Sequence, residues 1–300
     1  MHFADTSSGR PFSKDPAVVH FQGKYWMYYT LPPRVDDREY SIGIATSEDL
    51  ENWQVVGKIN PAAGYEKNGL CAPGALIHEG KIHLFYQTYG NWEKDAICHA
   101  YSKDGLNFVR NETNPIFAPT GDWTAGRAID ADVIAHEGQL YLFYATRDPG
   151  MQIQMLGVAA APLDGGFRRE TWQQLSDGPI LKPELPWEQQ CIEAPALCKH
   201  GDTFFMFYAG AYNNKPQQIG VASSKDLVHW QRVYDEPILP NGAPGTWNSS
   251  ESGHPYLFTD TSKPEPEMWL FFQGNNDMGK SWYLSKKRVL WRDGLPVIAD

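Results

Sequence analysis

The chain is poor in cysteine and in basic residues, and it has no long apolar run. Only Cys71, Cys98, Cys191 and Cys198 occur in 300 residues. No C-x-x-C pair is present and the spacings fit no zinc pattern, so the four are read as buried free thiols. Lys and Arg number 26 against 36 Asp and Glu, a formal net charge of −10. That balance excludes the basic stripe of a nucleic-acid binder and disfavours an acidic lipid surface. No apolar stretch reaches about 18 residues, so no helix is expected to cross a membrane. The N-terminal MHFADTSSGRPF lacks an apolar h-region and does not read as a signal peptide; it fits an intact start or a chain relieved of its leader. Sustained helical periodicity is missing. So are a phosphate-binding loop, a dinucleotide fingerprint and a G-x-S-x-G elbow.

What is present is a repeat. A short apolar strand, a turn and an aromatic strand recur five times, as DPAVVHFQGKYWMYY, APGALIHEGKIHLFY, DADVIAHEGQLYLFY, EAPALCKHGDTFFMFY and HPYLFTDTSKPEPEMWLFF. The copies begin at Asp15, Ala72, Asp130, Glu193 and His254, a period of about 60 residues that points to a propeller. A second repeat supports the first. Ser47, Ser102 and Ser224 precede Trp53, Phe108 and Trp230 in TSEDLENW, YSKDGLNF and SSKDLVHW, with worn copies at Ala161–Phe167 and Ser285–Trp291. Alternating strands such as SIGIATS and QIGVASS lie just upstream, the pattern of half-buried strands. Each unit then holds two hairpins. One four-stranded unit cannot bury both its faces, so the units must stack in a ring. The expected fold is all-β, a five-bladed propeller with four-stranded antiparallel blades, and residues 1–300 are read as one domain.

The first residue of each innermost strand sits at one mouth of the axis. Three carboxylates and a histidine therefore converge there, from blades 1, 3, 4 and 5. Asp130 and Glu193 come from adjacent blades, and neighbouring carboxylates resist being charged together. One of them is expected to stay protonated as a general acid. Asp15, two blades from both, is expected to be ionised as a base or a nucleophile. A separation of roughly 6.5–9.5 Å would imply inversion in glycosidic hydrolysis, and one near 5 Å retention. The alternative for each acid is a turn-closing role. Ala72 in blade 2 argues against a folding requirement at this register. Glu193 is in register when counted from the turn glycine; counting back from Tyr208 puts Ala194 there instead. Glu193 is retained, since a carboxylate at a strand start reaches inward from a bulge. His254 either packs, orients a carboxylate, or approaches a bound water or cation. With no second histidine at metal-ligand spacing, zinc is not expected.

The inserts GYEKNGLC, APTGDWTAGRA, ELPWEQQ and NGAPGTWNSSES precede inner strands and would form the pocket rim. Trp92, Trp123, Trp187 and Trp247 are candidates to wall off one end of a groove, and Arg127 and Arg147 are the basic rim candidates.

These segments resemble glycoside hydrolase family 43, a five-bladed propeller family of inverting enzymes. KDPAVVHFQGKYWMYY is similar to its first-blade signature, which implies that Asp15 is the general base. AIDADVI is similar to the third-blade motif, implying that Asp130 orients the acid and tunes its pKa. CIEAPALCKHGDTFFMFYAG is similar to the Glu-Gly-Pro segment, implying that Glu193 is the general acid, although Ala194 stands where many members have Gly. SGHPYLF resembles the last-blade segment whose His lies near the axis, implying that His254 contacts substrate or adjoins a calcium or water site. The resemblance implies no required cofactor, and a carbohydrate as partner. It implies inversion on furanosyl or xylosyl sugars; the rim tryptophans favour exo action on terminal residues, with Arg127, Trp92 and Trp247 read as further substrate contacts. Four alternatives stay open: an endo-arabinanase, a retaining fructosidase-like propeller, a mannoside phosphorylase and a non-catalytic sugar-binding propeller. The fructosidase type carries Arg-Asp-Pro in blade 3; here Arg147-Asp148-Pro149 falls after the strand.

Overall fold

The structure is a computed structural model, and it describes residues 1–33, 39–62 and 64–299. Five four-stranded antiparallel sheets, each a simple meander, make a five-bladed β-propeller. The blades span 14–59, 70–110, 129–174, 192–232 and 251–298. Among the described residues every blade is built from one contiguous stretch of chain, and no exchanged strand closes the ring. Closure falls to side chains and to the N-terminal segment. Phe3 and Phe12 bridge to Leu284 and Trp282 of blade 5. Tyr25 Oη donates to Asp260 Oδ2 at 2.8 Å.

The aromatic second strands are buried on both faces. Tyr28, Tyr29, Tyr86, Tyr144 and Tyr208 are all fully enclosed. Two third-strand glycines explain how the rings fit. A Cβ on Gly43 would lie 2.3 Å from the ring of Tyr29, and one on Gly157 would lie 2.5 Å from Tyr144.

The second repeat works between blades. Each closing aromatic packs on a second-strand ring of the preceding blade: Phe108 on Tyr28, Phe167 on Phe85, Trp230 on Phe143, Trp291 on Phe205, and Trp53 on Phe271 across the closure. The worn copies keep this contact. The serine turns position the aromatics. Ser47 Oγ accepts from the N–H groups of Asp49 and Leu50, and Asp49 Oδ1 from those of Glu51 and Asn52. Ser102–Asp104 and Ser224–Asp226 repeat the pattern. Trp230 is 8% exposed, so Trp230→Ala empties an inter-blade wedge. It should lower unfolding free energy by about 3–5 kcal/mol, measured by urea denaturation.

At the axis, five inner-strand residues share a left-handed conformation: Asp15 (φ 53), Ala72 (φ 47), Asp130 (φ 54), Ala194 (φ 52) and His254 (φ 43). A bulge follows each of them. This corrects the register expected for blade 4. Ala194, not Glu193, is the equivalent of Asp15 and Asp130. The hairpin turn there is no longer than the others; its glycine has moved. The turns are Gln22-Gly23, Glu79-Gly80 and Glu137-Gly138 in blades 1–3, but Gly201-Asp202 in blade 4. Counting from the glycine therefore slips by one. Glu193 instead shares its position with Lys14, Cys71, Ile129 and Gly253.

Deeper on the axis, Asp132 occupies a position filled by Ala17, Gly74, Ala196 and Tyr256 in the other blades. Its Oδ2 accepts from the Leu197 N–H at 2.8 Å, joining blades 3 and 4. Burial pushes its carboxyl up to about 7, against the pull of two backbone N–H groups. A carboxyl raised on folding stabilises the protein below its unfolded value and loses that contribution as pH rises through the folded one. Wild type should therefore lose stability relative to Asp132→Asn between about pH 4 and 7, read as diverging urea midpoints.

Candidate active site

The left-handed ring aims Asp15, Asp130 and His254 into the mouth of the axis, and the preceding positions add Lys14 and Glu193. Backbone strain at these residues, about 1–3 kcal/mol each, is shared by Ala72 and Ala194. The conformation thus belongs to the fold and not to the acids. It is fixed by side chains from the preceding blade. Gln273 Oε1 accepts from the Asp15 N–H at 3.0 Å, Thr30 Oγ1 from that of Ala72 at 2.8 Å, and Gln87 Oε1 from that of Asp130 at 2.8 Å.

Asp15 lies against His254, Oδ1 to Nδ1 at 3.1 Å. Burial holds the imidazole below its ordinary value despite Asp15 and Glu193. His254 is therefore a neutral ring resting against Asp15. Of the roles open to it, the approach to Asp15 favours contact with a carboxylate.

Glu193 is held on both oxygens. Gln217 Nε2 donates to Oε1 at 2.7 Å, and Gln154 Nε2 donates to Oε2. Cys191 Sγ adds a weak contact to Oε2 at 3.6 Å. Gln154 cannot turn over, because its Oε1 accepts from Arg147 Nε at 2.9 Å and from Arg127 Nη1 at 3.4 Å. Both basic rim candidates thus act on Glu193 through Gln154. Arg127 also faces Asp95, Nε to Oδ2 at 3.7 Å, and Arg147 lies over the Tyr212 ring at 5.2 Å.

Asp130 is driven well above the carboxylate range, first by burial, then by the charges of Glu193 and Asp15. The expected neighbour effect is present, and it falls on Asp130.

The tryptophan wall is not there. Trp247 packs against His2 and Phe272, and Trp187 stacks on Tyr208. Trp123 packs into the blade 3 core. Their size and low exposure suit packing. Trp92 alone of the four stands free, 71% exposed. Tyrosines approach the acids instead. Tyr40 and Tyr89 pair at 4.6 Å, and each senses the charge of Lys14. Tyr212, pushed up to about 12 chiefly by burial, senses Glu193. Asp148 of the Arg-Asp-Pro string closes a loop, accepting from the N–H groups of Gln152 and Ile153.

The four thiols are free and buried. An axial calcium does not suit the side chains around His254. That ion takes about 6–8 oxygen ligands, whereas His254 offers a ring nitrogen already on Asp15, and Lys14 adds a competing ammonium. Among the described residues no group of three or more His, Cys, Asp or Glu is placed to hold a metal. No helix among the described residues is long and apolar enough to cross a membrane.

Sequence reasoning missed Lys14, Gln154, Asn213, Gln217 and the three tyrosines. Lys14 carried a signal, since it directly precedes Asp15. Gln154 opens the third strand of blade 3, and the others lie between strands, outside the repeated phrase.

The chain is similar to several carbohydrate-active proteins. It is 27% identical over 206 residues to a 1,2-beta-oligomannan phosphorylase of Thermoanaerobacter sp. (strain X514), covering 66% of this chain and 64% of that protein. It is 23% identical over 320 residues to a xylan 1,3-beta-xylosidase of Vibrio sp, covering 96% and 56%. The chain thus spans less than two thirds of the length of these curated relatives. The structure of an endo-1,4-beta-xylanase from Bacteroides thetaiotaomicron VPI-5482 superposes with a TM-score of 0.75 at 22% identity, over 96% of this chain and 94% of that one; at that identity it speaks for the fold. The model of glycosyl hydrolases family 43 matches residues 10–296. The chain belongs to glycosyl hydrolases family 43.

Proposed function

We propose that the protein is an inverting glycosidase acting on terminal furanosyl or xylosyl residues. The observation that carries this reading is the opposed support of two carboxylates. Asp15 is oriented by neutral His254 on one side of the mouth, and Glu193 is clamped by two glutamine amides on the other. Asp15 takes the proton of a water that attacks the anomeric carbon. Glu193 gives its proton to the leaving oxygen as that bond breaks. Asp130, largely uncharged beside Glu193, keeps a proton in the pair. Inversion needs one acid and one base with water between them. Furanosyl and xylosyl substrates follow the family resemblance and the xylosidase relative. Chain-end attack now rests on Tyr40, Tyr89 and Tyr212 as pocket walls, since the tryptophans pack elsewhere.

A second reading is phosphorolysis. It is favoured by the phosphorylase relative and by two guanidinium groups meeting at Gln154. One experiment separates the readings. Aryl arabinofuranosides, xylosides, galactofuranosides and fructosides are screened, and the first-formed product is followed by NMR with and without inorganic phosphate. Inverted free sugar, unchanged by phosphate, supports the proposal. A retained anomer overturns inversion, and a phosphate-dependent sugar 1-phosphate supports the second reading. An oligosaccharide ladder from polymer, in place of monosaccharide, overturns chain-end attack.

A further inference from the structure

The position that carries Glu193 in blade 4 carries Lys14 in blade 1. An ammonium therefore enters the mouth from the blade of the base, as the acid enters from its own. Lys14 Nζ donates to Asn213 Oδ1 at 2.7 Å and lies 4.5 Å above the ring of Trp282. Burial works against its charge, yet Asp15, Glu251, Glu193 and Asp130 together raise it above its ordinary value. The other titratable groups that sense it are His254, Cys71, Tyr40 and Tyr89.

Asn213 belongs to a segment that also holds the acid. Within residues 212–217, Gln217 donates to Glu193, and the Asn213 side chain and Asn214 N–H donate to Glu251. Glu251 in turn accepts from Gln273 Nε2 at 2.8 Å, and Gln273 accepts from the Asp15 N–H. The segment leaves blade 4 and passes blade 5 where Gly253 makes room; a Cβ there would lie 1.8 Å from the Gln217 amide oxygen. It ends on Lys14 of blade 1. One loop thus ties the acid to the base.

We infer that Lys14 is the positioning residue of this site: tethered through Asn213 to the 212–217 segment, it holds the blade 1 base in place against the blade 4 acid and sets a positive charge beside it. The inference rests on the proposed roles of Asp15 and Glu193. Its two parts separate by variant. Lys14→Met removes tether and charge, Lys14→Gln keeps a donor for Asn213 without the charge, and Asn213→Ala keeps the charge without the tether.

The test is the pH profile of kcat/KM on an aryl glycoside that the wild type hydrolyses, with folding checked by circular dichroism. Lys14→Met should lower kcat/KM by at least about 100-fold, the cost of misplacing a reacting group. Its acid limb should move up by about one pH unit, because a nearby positive charge is lost. Lys14→Gln should show the same limb shift with a smaller loss at the optimum. Asn213→Ala should lose rate chiefly in kcat and leave the limb in place. The inference is overturned if a folded Lys14→Met, or Lys14→Gln where that variant does not fold, keeps its limb and stays within about threefold of wild type. Asp15→Asn is run in parallel. If it remains fully active, the reading of the base fails. If it is dead while the Lys14 variants behave as wild type, only the inference about Lys14 fails.

Discussion

Glu193→Ala should lose hydrolysis of natural glycosides by about 10²–10⁴-fold, the range expected for removal of a general acid. The same variant should retain much of its rate on aryl glycosides with acidic leaving groups. A sugar or alkyl oxygen leaves poorly without a proton, whereas a nitrophenolate leaves unaided. The discrimination is the diagnostic part, since a misfolded or disordered site would lose both substrates together. The fold is expected to tolerate the change. Among the described residues Glu193 makes no backbone-ordering contact from its side chain, and Gln154 remains fixed by Arg127 and Arg147. Gln217 keeps its bond to the Ala211 carbonyl at 3.0 Å. The check is kcat/KM across phenols of decreasing pKa. A slope no steeper than that of wild type sinks the assignment of Glu193 as the acid.

The propeller was legible because its signals are local. Period-two strands recur in each unit, and glycine-bearing hairpin turns and a serine turn before an aromatic recur in most of them; a chain that repeats a unit with two apolar faces must close a ring. Asp15, Asp130 and His254 were legible for the same reason, as they stand at one repeat position. The register of Glu193 was not, because blade 4 exchanges the order of its turn residues at Gly201-Asp202, and the turn glycine was the ruler. The error did not remove Glu193 from the site. At the mouth of the axis two consecutive residues reach the pocket, since a left-handed residue and a bulge interrupt the strict alternation of faces. That same departure brings in Lys14. What stayed hidden are contacts between segments far apart in sequence. Gln154 and Gln217 reach Glu193 from 39 and 24 residues away, with no composition to mark them. The tryptophans misled for a different reason. A large ring in a rim insert has the same appearance in sequence whether it faces sugar or fills a gap over Gly210 and Gly274, as Trp187 and Trp247 do.

Asp15→Asn should abolish activity on every substrate, with a loss of at least about 10⁴-fold where no buried group can replace the base. Unlike the Glu193 variant, it should show no rescue by a better leaving group, because attack of water precedes or accompanies departure whatever departs. The substitution is chosen for its geometry. Asparagine tolerates the left-handed conformation better than most residues, and its amide keeps the shape of the carboxylate beside His254. The backbone N–H bond to Gln273 is untouched. Alanine is a second, independent variant, and Ala72 and Ala194 show that this backbone accepts it at φ 47 and 52. If the Asn and Ala variants are folded and both inactive on the most activated aryl glycoside, the missing element is the carboxylate and not its shape. Activity that returns with small anions such as azide, giving a product of inverted configuration, would place the vacated oxygen where the nucleophilic water stands. Substantial hydrolysis by either variant without such an anion would show that Asp15 is not the base, and the division of labour between blades 1 and 4 would fall with it.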